Sequence, residues 1–345
     1  METDRATWWL GLALSFLAIA CAQQPRASVP PSPEEPAERI TQIRLPDSGY
    51  IYDVTVAEGA VWVTSDAGLF RIDSATSDVL NVLPHDYLFR VFPGYGDIWI
   101  TTGSFGQVLR FDPQTAALVA EIDVGAGPVT YLATSEDAVW VSAVSDLVRI
   151  DPATNEVVDR LRSEATFGDV TFGEGGLWVI AGPNEEGAVW RIDPVVAEVQ
   201  QKIPLANPSF WNEIEAGGGA IWVTSSPIAH GNGDPLVFLH RVVFLHRVDP
   251  WTGDITAEVP LGSGAFGLGP KERAASHATL AVGAGSLWAL LGYESLVVRM
   301  DPADLGVVET MEAMPGGSSD VGSGMAIGAG AVWVTASEAV TRVSL

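Results

Sequence analysis

Lysine is almost absent from this sequence. Two lysines occur in 345 residues, acidic residues number 43, and the formal net charge is −25. A surface this acidic repels nucleic acid and anionic lipid, which argues against a protein that binds DNA or RNA. Cations, basic peptides and neutral ligands are the partners that it can attract.

Cysteine and histidine are also scarce. The chain has one cysteine and five histidines. A single cysteine excludes an intrachain disulfide, so the position of Cys21 is what carries information. No close metal-ligand spacing and no nucleophile–base pair stands out from the sequence.

Cys21 follows an apolar stretch, residues 6–20, whose length suits a signal peptide and is short for a membrane span. The segment Leu17-Ala18-Ile19-Ala20-Cys21 resembles the lipobox of bacterial lipoproteins, in which the cysteine becomes the diacylated N-terminus. This resemblance implies a signal peptide at residues 1–20 and lipidation at Cys21. The mature protein is then exported and anchored to a bacterial membrane, in the periplasm or on the cell surface. An uncleaved signal anchor is the alternative.

The next segment has the composition of a linker. Residues 22–38 contain five prolines and no apolar periodicity, which is typical of an extended tether. We therefore expect a Pro-rich tether over residues 21–38, after the lipidated cysteine, and one folded domain over residues 39–345.

The rest of the chain is dominated by a repeat of roughly 40 residues. Seven times a Gly/Ala-rich turn leads into a hydrophobic-Trp-hydrophobic triplet, and Arg-hydrophobic-Asp or a close variant follows. The tryptophans are Trp62, Trp99, Trp140, Trp178, Trp222, Trp288 and Trp333. The arginines are Arg71, Arg110, Arg149, Arg191, Arg247, Arg299 and Arg342. This period predicts an all-β protein, a seven-bladed β-propeller of four-stranded antiparallel blades.

The first unit illustrates the four strands that are predicted for each blade. Its strands are predicted at Asp53–Val56, Ala60–Thr64, Leu69–Asp73 and Val79–Leu83. The last unit stops after its third strand, whereas Arg39–Pro46 resembles the outer strands of other units. Pairing this N-terminal strand with the last blade would close the ring and remove two free sheet edges.

A duplicated hexapeptide interrupts the fifth unit. Val237–Val242 and Val243–Val248 both read VFLHRV, and an even-length duplication keeps the strand alternation. Either copy could therefore form the third strand of that blade. A metal site formed by the two repeated histidines has little support, because one copy must project from the blade.

The Val61-Trp62-Val63-Thr64 segment, its counterparts Ile221–Thr224 and Val332–Thr335, and the Arg-Ile/Val-Asp-Pro turns carry a family resemblance. They resemble two related groups of seven-bladed propellers, the YVTN-repeat surface and periplasmic proteins and the streptogramin B lyase-like proteins. The resemblance covers residues 39–345 and implies the fold, since both groups share these residues for packing.

The lyase-like proteins use a magnesium ion with His and Glu side chains at the channel mouth to eliminate across an ester. The resemblance implies an alternative role for His277, with Glu213, Asp169 and Asp53, in a related enzyme. The Glu-x-His pair expected of that group is missing here.

Residues that recur in every blade are expected to pack blade against blade, so function should lie where the blades differ. One such position comes nine residues before each tryptophan, near the start of the inner strand. Its residues are Asp53, Arg90, Tyr131, Asp169, Glu213, Thr279 and Gly324. The position two residues further along each strand is predicted to be consistently apolar or small. A polar ring at the channel mouth can hold a cation or polar ligand, or be a solvated rim that binds only water.

Two long insertions lie beside this mouth. They are the loops Ser225–Arg241 and Gly262–His277, and the preceding loop carries Phe210 and Trp211. Charged and aromatic residues on extended loops of a rigid scaffold are typical of binding sites, although harmless insertions are the alternative. The candidate binding residues are Asp53, Arg90, Tyr131, Asp169, Trp211, Glu213, Lys271, Arg273 and His277.

The sequence therefore predicts a membrane-anchored extracytoplasmic propeller, monomeric, that binds a small molecule or a protein through its loop-rich face. Asp53, Asp169 and Glu213 are the candidate ligands of a divalent cation, Mg²⁺ or Ca²⁺. The alternative function is a metal-dependent lyase or lactonase-type enzyme, with His277 and Glu213 as candidate catalytic residues. The absence of an evident catalytic pair favours the binding module.

Overall fold

The computed structural model is a seven-bladed β-propeller in which every blade is a four-stranded antiparallel sheet. It describes residues 39–125, 127–182, 187–205, 213–225, 243–262, 278–292, 295–313, 321–336 and 338–345, with residues 321–323 described as backbone only. The predicted signal peptide, Cys21 and the Pro-rich tether lie outside these ranges. Within them, no helix is long and apolar enough to cross a bilayer.

The strands follow one another in chain order within blades 1 to 3. The N-terminal strand is β1 (Ile40–Arg44). Blade 1 comprises β2 (Ile51–Ala57), β3 (Ala60–Ser65), β4 (Gly68–Asp73) and β5 (Val79–Leu83). Blade 2 comprises β6 (Val91–Gly94), β7 (Asp97–Thr101), β8 (Gln107–Phe111) and β9 (Leu118–Asp123). Blade 3 comprises β10 (Tyr131–Thr134), β11 (Val139–Ala143), β12 (Asp146–Asp151) and β13 (Glu156–Arg162).

The remaining blades repeat this order. Blade 4 comprises β14 (Phe167–Gly173), β15 (Gly176–Ala181), β16 (Ala188–Asp193) and β17 (Glu198–Pro204). Blade 5 comprises β18 (Ile214–Gly217), β19 (Ala220–Ser225), β20 (Val243–Val248) and β21 (Ile255–Leu261). Blade 6 comprises β22 (Ala278–Gly283), β23 (Ser286–Leu291), β24 (Leu296–Met300) and β25 (Val307–Glu312). Blade 7 comprises β26 (Val321–Gly328), β27 (Ala331–Ala336), β28 (Ala339–Ser344) and β1.

The sequence-based strand predictions for blade 1 are confirmed to within two residues at each end. In blade 5 the second VFLHRV copy, Val243–Val248, forms the third strand β20, and the first copy lies outside the described residues. The first strand of each blade lines the central channel. Because the blades are antiparallel meanders, the connections from the fourth strand to the next blade and from the second strand to the third share one face. We call this the loop-bearing face.

The predicted ring closure is confirmed. Strand β1 pairs antiparallel with β28, with Ile40 opposite Val343 and Arg44 opposite Ala339. Ile43 is buried in the core that joins blade 7 to blade 1. The closure covers the edge of β28, the third strand of blade 7, with β1 as the fourth strand.

The repeated Trp and Arg residues hold neighbouring blades together, as predicted. Each tryptophan is fully buried on the second strand and lies opposite its arginine on the third, as Trp62 does opposite Arg71. The guanidinium carbon lies 4.9 to 5.8 Å from the tryptophan ring centroid. In blade 2 the guanidinium of Arg110 also donates to Asn155 Oδ1 of blade 3, at 2.7 Å.

In five of the seven blades the inner strand ends in a glycine that lies close to the inner strand of the next blade. The Nε1 of Trp333 donates to the carbonyl oxygen of Gly328 at 3.2 Å, and four other blades repeat this bond. A Cβ added at Gly328 would lie 2.7 Å from Val56 Cγ1 in the next blade. In blades 1 and 3 the glycine is absent, and the Nε1 atoms of Trp62 and Trp140 have no partner among the described residues. Glycine here therefore serves both the hydrogen bond and the spacing between blades.

Deleting residues 39–46 should destabilise the protein strongly, because it removes β1 and exposes the edge of β28. We expect the melting temperature to fall by more than 10 °C, since a whole strand and its buried Ile43 are lost. The measurement is thermal unfolding followed by circular dichroism. Deleting residues 22–36 is the matched control and should leave the melting temperature unchanged. Equal stability of the two deletion variants would contradict closure by β1.

Candidate functional site: the mouth of the channel

The ring of variable residues lies at the loop-bearing end of the channel. Six of its seven members line one cavity of about 390 Å³, and Gly324 stands beside Asp53 at the blade 7–blade 1 closure. Asp53, Asp169 and Glu213 are at most 9% exposed. The structure thus gathers residues from six blades as the sequence spacing predicts, but it buries their carboxylates instead of leaving them on a solvated rim.

Arg90 crosses the channel mouth from blade 2 to blade 5. Its Nη2 lies 3.3 Å from Glu213 Oε1, and the two side chains are 13% and 11% exposed. The guanidinium carbon lies 4.7 Å from the centroid of the Tyr131 ring in blade 3. Arg90 Nε is buried and has no partner among the described residues. The only arginine of the ring is therefore held by an acid and an aromatic face on different blades.

Asp53 and Asp169 each accept a hydrogen bond from the next blade. Asp53 Oδ2 accepts the backbone N–H of Val91 in blade 2 at 3.0 Å. Asp169 Oδ2 accepts the backbone N–H of Ile214 in blade 5 at 2.9 Å. These two carboxylates consequently have a structural role as well as a place at the cavity.

Glu215 is a channel residue that the sequence analysis missed. It lies two residues beyond Glu213 on β18, at the position predicted to be consistently apolar or small, and that prediction is wrong for blade 5. Its half-buried side chain lines the same cavity. The Glu213-x-Glu215 alternation was the available signal, because residues i and i+2 of a strand share a face.

The mouth carries four carboxyl groups and one guanidinium, and burial raises the pKa values of all four carboxyls. Burial raises the pKa of Asp53 to about 6, with Arg90 opposing the shift. Burial and then the charge of Glu213 raise the pKa of Glu215 to about 8. Burial and the charge of Glu213 hold the pKa of Asp169 well above its usual range. The pKa of Glu213 is also raised by burial, against the effect of Arg90. The site therefore retains protons near neutral pH.

The described residues do not fit a divalent metal ion. Among them, no group of three or more His, Cys, Asp or Glu side chains is arranged to hold one. Asp53 and Asp169 each direct an oxygen to a backbone N–H, and Glu213 is engaged by Arg90. Binding of Mg²⁺ or Ca²⁺ by these three carboxylates thus stays a prediction without support from their geometry. The other candidate residues, Trp211, Lys271, Arg273 and His277, lie outside the described ranges.

A nucleophile–base pair that the sequence did not reveal lies inside blade 5. Ser225 Oγ is 2.6 Å from His246 Nε2, and His246 Nδ1 is 3.4 Å from Glu258 Oε2. Ser225 is 2% exposed and His246 1% exposed, so a substrate carbonyl cannot reach the hydroxyl. Burial lowers the pKa of His246, which stays neutral. We therefore assign this pair to the packing of the blade, because five of the other six blades carry an apolar residue, such as Phe70, at the position of His246.

Comparison with known proteins shows the fold. No protein-family model matches the sequence, and no curated protein matches it. Hydrazine synthase from Kuenenia stuttgartiensis matches with a TM-score of 0.71 and 14% identity, over 88% of this chain and 98% of the other. Selenomethionine-substituted virginiamycin B lyase from Staphylococcus aureus matches with a TM-score of 0.68 and 15% identity, over 89% and 99%. The Pan2 WD40 domain of Neurospora crassa matches with a TM-score of 0.65 and 10% identity, over 88% and 95%.

The predicted resemblance to streptogramin B lyase-like proteins is therefore confirmed for the propeller fold. The resemblance to YVTN-repeat proteins and the lipoprotein signal stay predictions. At these identities the matches leave the activity open, because enzymes and binding domains share the architecture.

Replacing Glu215 by Gln should stabilise the protein increasingly as the pH rises from about 4.5 towards 8. The pKa of this carboxyl is about 8 in the folded state, against 4.5 for a solvent-exposed glutamate. As the pH rises through this window the unfolded chain ionises first, so the wild type loses stability that E215Q keeps. We expect E215Q to exceed the wild type by ~2 kcal/mol at pH 8.5 and to equal it at pH 4.5.

Urea unfolding at both pH values measures this difference. Glu198, an exposed residue of the outer strand β17, provides the matched control. E198Q should differ from the wild type by the same small amount at the two pH values. An E215Q variant with wild-type stability at pH 8.5 would contradict a buried, proton-retaining Glu215.

Proposed function

We propose that this protein is a membrane-anchored extracytoplasmic binding module that captures a small organic cation, or a cationic side chain of a protein partner, at the mouth of its channel. The supporting observation is the excess of acidic groups at the mouth, where four carboxyl groups share the cavity with the single guanidinium of Arg90. Buried acids with raised pKa values that line a cavity are more typical of functional sites than of residues that serve packing alone.

A primary ammonium or a guanidinium suits this site better than a bare ion. Such a group brings its own N–H donors, which a carboxylate oxygen can accept without a full coordination shell. Glu215 lines the cavity, and the charge of another acid, Glu213, raises its pKa further. A bound cation would neutralise charge that otherwise costs stability, because burial of an unpaired carboxylate is unfavourable.

The membrane part of the proposal rests on the sequence. The lipobox-like segment before Cys21 supports export and lipid attachment, and the Pro-rich residues 22–38 would separate the propeller from the lipid surface.

Lipid attachment at Cys21 can be tested directly. Cells that express the wild type should incorporate a radioactive fatty acid into this protein, and the Cys21→Ser variant should incorporate none. Cys21 is the only cysteine, so no other thiol can take up the label. Unchanged labelling of C21S, or a wild type that stays in the cytosol, would contradict the anchor.

Cation binding at the mouth can be tested by thermal shift at pH 7. Butylammonium at about ten times its Kd should raise the melting temperature of the wild type by roughly 2–4 °C, and the neutral analogue butanol should not. Glu213→Gln and Glu215→Gln should each remove most of this shift, because each removes a charged acceptor. Glu198→Gln is the matched control and should respond as the wild type does. An equal shift in all variants would contradict binding at the mouth.

Mg²⁺ and Ca²⁺ form separate arms of the same experiment. A shift with either ion that E213Q abolishes, without a shift from butylammonium, would replace the organic cation by a metal ion.

A lyase or hydrolase active at the mouth is the second candidate function. The observation that favours it is Glu215, because a carboxylic acid that stays protonated at neutral pH can act as a general acid. Turnover of an ester or lactone by the wild type, lost in Glu215→Gln or His277→Ala, would favour this alternative over the binding module.

A further inference from the structure

A second cavity opens on the loop-bearing face, and its lining shares no residue with the cavity at the acidic mouth. It has a volume of about 430 Å³ and is built by blades 1 to 3 with Phe167 at its edge. Besides Phe167, four aromatic side chains line this cavity, which we call the aromatic pocket: Tyr52, Tyr87, Phe89 and Phe105. None of its lining residues is a Lys, Arg, Asp or Glu.

The rings of the aromatic pocket come in two pairs. The Tyr87 and Phe105 centroids are 4.0 Å apart, with 36° between the ring planes. The Tyr52 and Phe89 centroids are 5.8 Å apart, with 59° between the planes. Because the ring planes are inclined to one another, the faces of the rings point in different directions. Such an arrangement can surround a compact group.

Two of these rings are exposed at a structural cost. Tyr87 is 63% exposed and Phe105 53% exposed, so neither ring contributes much to the core. The backbone of Tyr87 is left-handed, with φ of 64°, a conformation that is unfavourable for an aromatic residue. Exposed apolar surface held by strained backbone is more typical of a binding site than of packing.

An acidic neighbour makes one ring more electron-rich. The Tyr52 hydroxyl donates to Asp66 Oδ1 at 2.6 Å, and Asp66 Oδ2 accepts the backbone N–H of Tyr50 at 2.8 Å. This hydrogen bond raises the pKa of Tyr52 to about 12. A phenol that donates to a carboxylate carries more negative charge on its ring face, which strengthens its attraction for a cation.

The chain uses aromatic faces for cations elsewhere. Each repeated tryptophan has an arginine over it, and Lys202 lies 3.8 Å from the centroid of Trp190. Over Tyr87, Phe89 and Phe105, no Lys or Arg of the described part of the chain is placed in this way. No cation of the described residues therefore occupies these three rings.

We propose that the aromatic pocket binds a quaternary or fully methylated ammonium group of a small soluble ligand. Such a group is weakly hydrated and has no N–H to satisfy, so ring faces suffice to hold it. A primary ammonium would lose its hydration here without gaining a carboxylate on the lining, and it belongs to the acidic mouth instead. The net charge of −25 attracts the ligand from solution. This inference does not depend on cation binding at the mouth.

An NMR titration of the full chain with choline and with its neutral isostere 3,3-dimethyl-1-butanol tests the proposal. Choline should bind with Kd of about 1 mM, and the isostere at least tenfold more weakly, because it fills the same space without charge. Phe105→Ala and Tyr87→Ala should each weaken choline binding at least fivefold. Tyr52→Phe keeps the ring and loses the bond to Asp66, so it should weaken choline binding about threefold.

Two variants serve as controls. Trp251 is 71% exposed on the opposite face, so W251A should bind choline as the wild type does. E213Q alters the acidic mouth and should also leave choline binding unchanged, which separates the two sites. Absence of choline binding at 50 mM, equal affinity for the neutral isostere, or wild-type affinity in both F105A and Y87A would overturn the proposal.

Discussion

The stacking of an arginine on a buried tryptophan of the adjacent strand is the contact on which this ring depends. It recurs in every blade, and in several blades the same guanidinium reaches the turn of the next blade, as Arg247 does with the carbonyl oxygen of Ala303. Because these contacts lie on the second and third strands, stability is supplied away from the channel. These contacts do not constrain the starting residues of the inner strands, which can therefore differ between blades. This explains why the mouth is asymmetric although the blades repeat one pattern.

Several of these variable positions on the inner strands hold acidic residues. Blades 1, 4 and 5 contribute carboxylates, and blade 2 contributes the single guanidinium that crosses to Glu213. Asp53 and Asp169 recover part of the cost of burial by accepting backbone N–H groups of the next blade. Glu215 has no such described compensation, so its proton is the means by which the folded state avoids an unpaired buried charge. A cation from solution can take the place of that proton.

The sequence predicts this fold well because packing residues must repeat. Trp62 and its six counterparts define the blades, and the missing outer strand of the last unit identifies the partner of β1. The site is less predictable because it depends on contacts between blades. The spacing from the tryptophans locates Arg90 and Glu213, but only the three-dimensional structure shows that they meet across the channel. The Ser225–His246 pair and the aromatic pocket bring together residues that do not recur at a fixed spacing in the repeat. In addition, His246 lies in one of two identical hexapeptides, so the sequence does not show which copy forms the strand beside Ser225.

In the proposed function, a bound cation replaces a carboxyl proton at the mouth of the channel. Isothermal titration calorimetry of butylammonium binding at pH 7, in buffers of different ionisation enthalpy, measures the protons released per ligand bound. With a Glu215 pKa of about 8, the site should release between about half a proton and one proton at pH 7, and almost none at pH 9.5. Binding without proton release at pH 7, or with the same release in E215Q, would contradict the account.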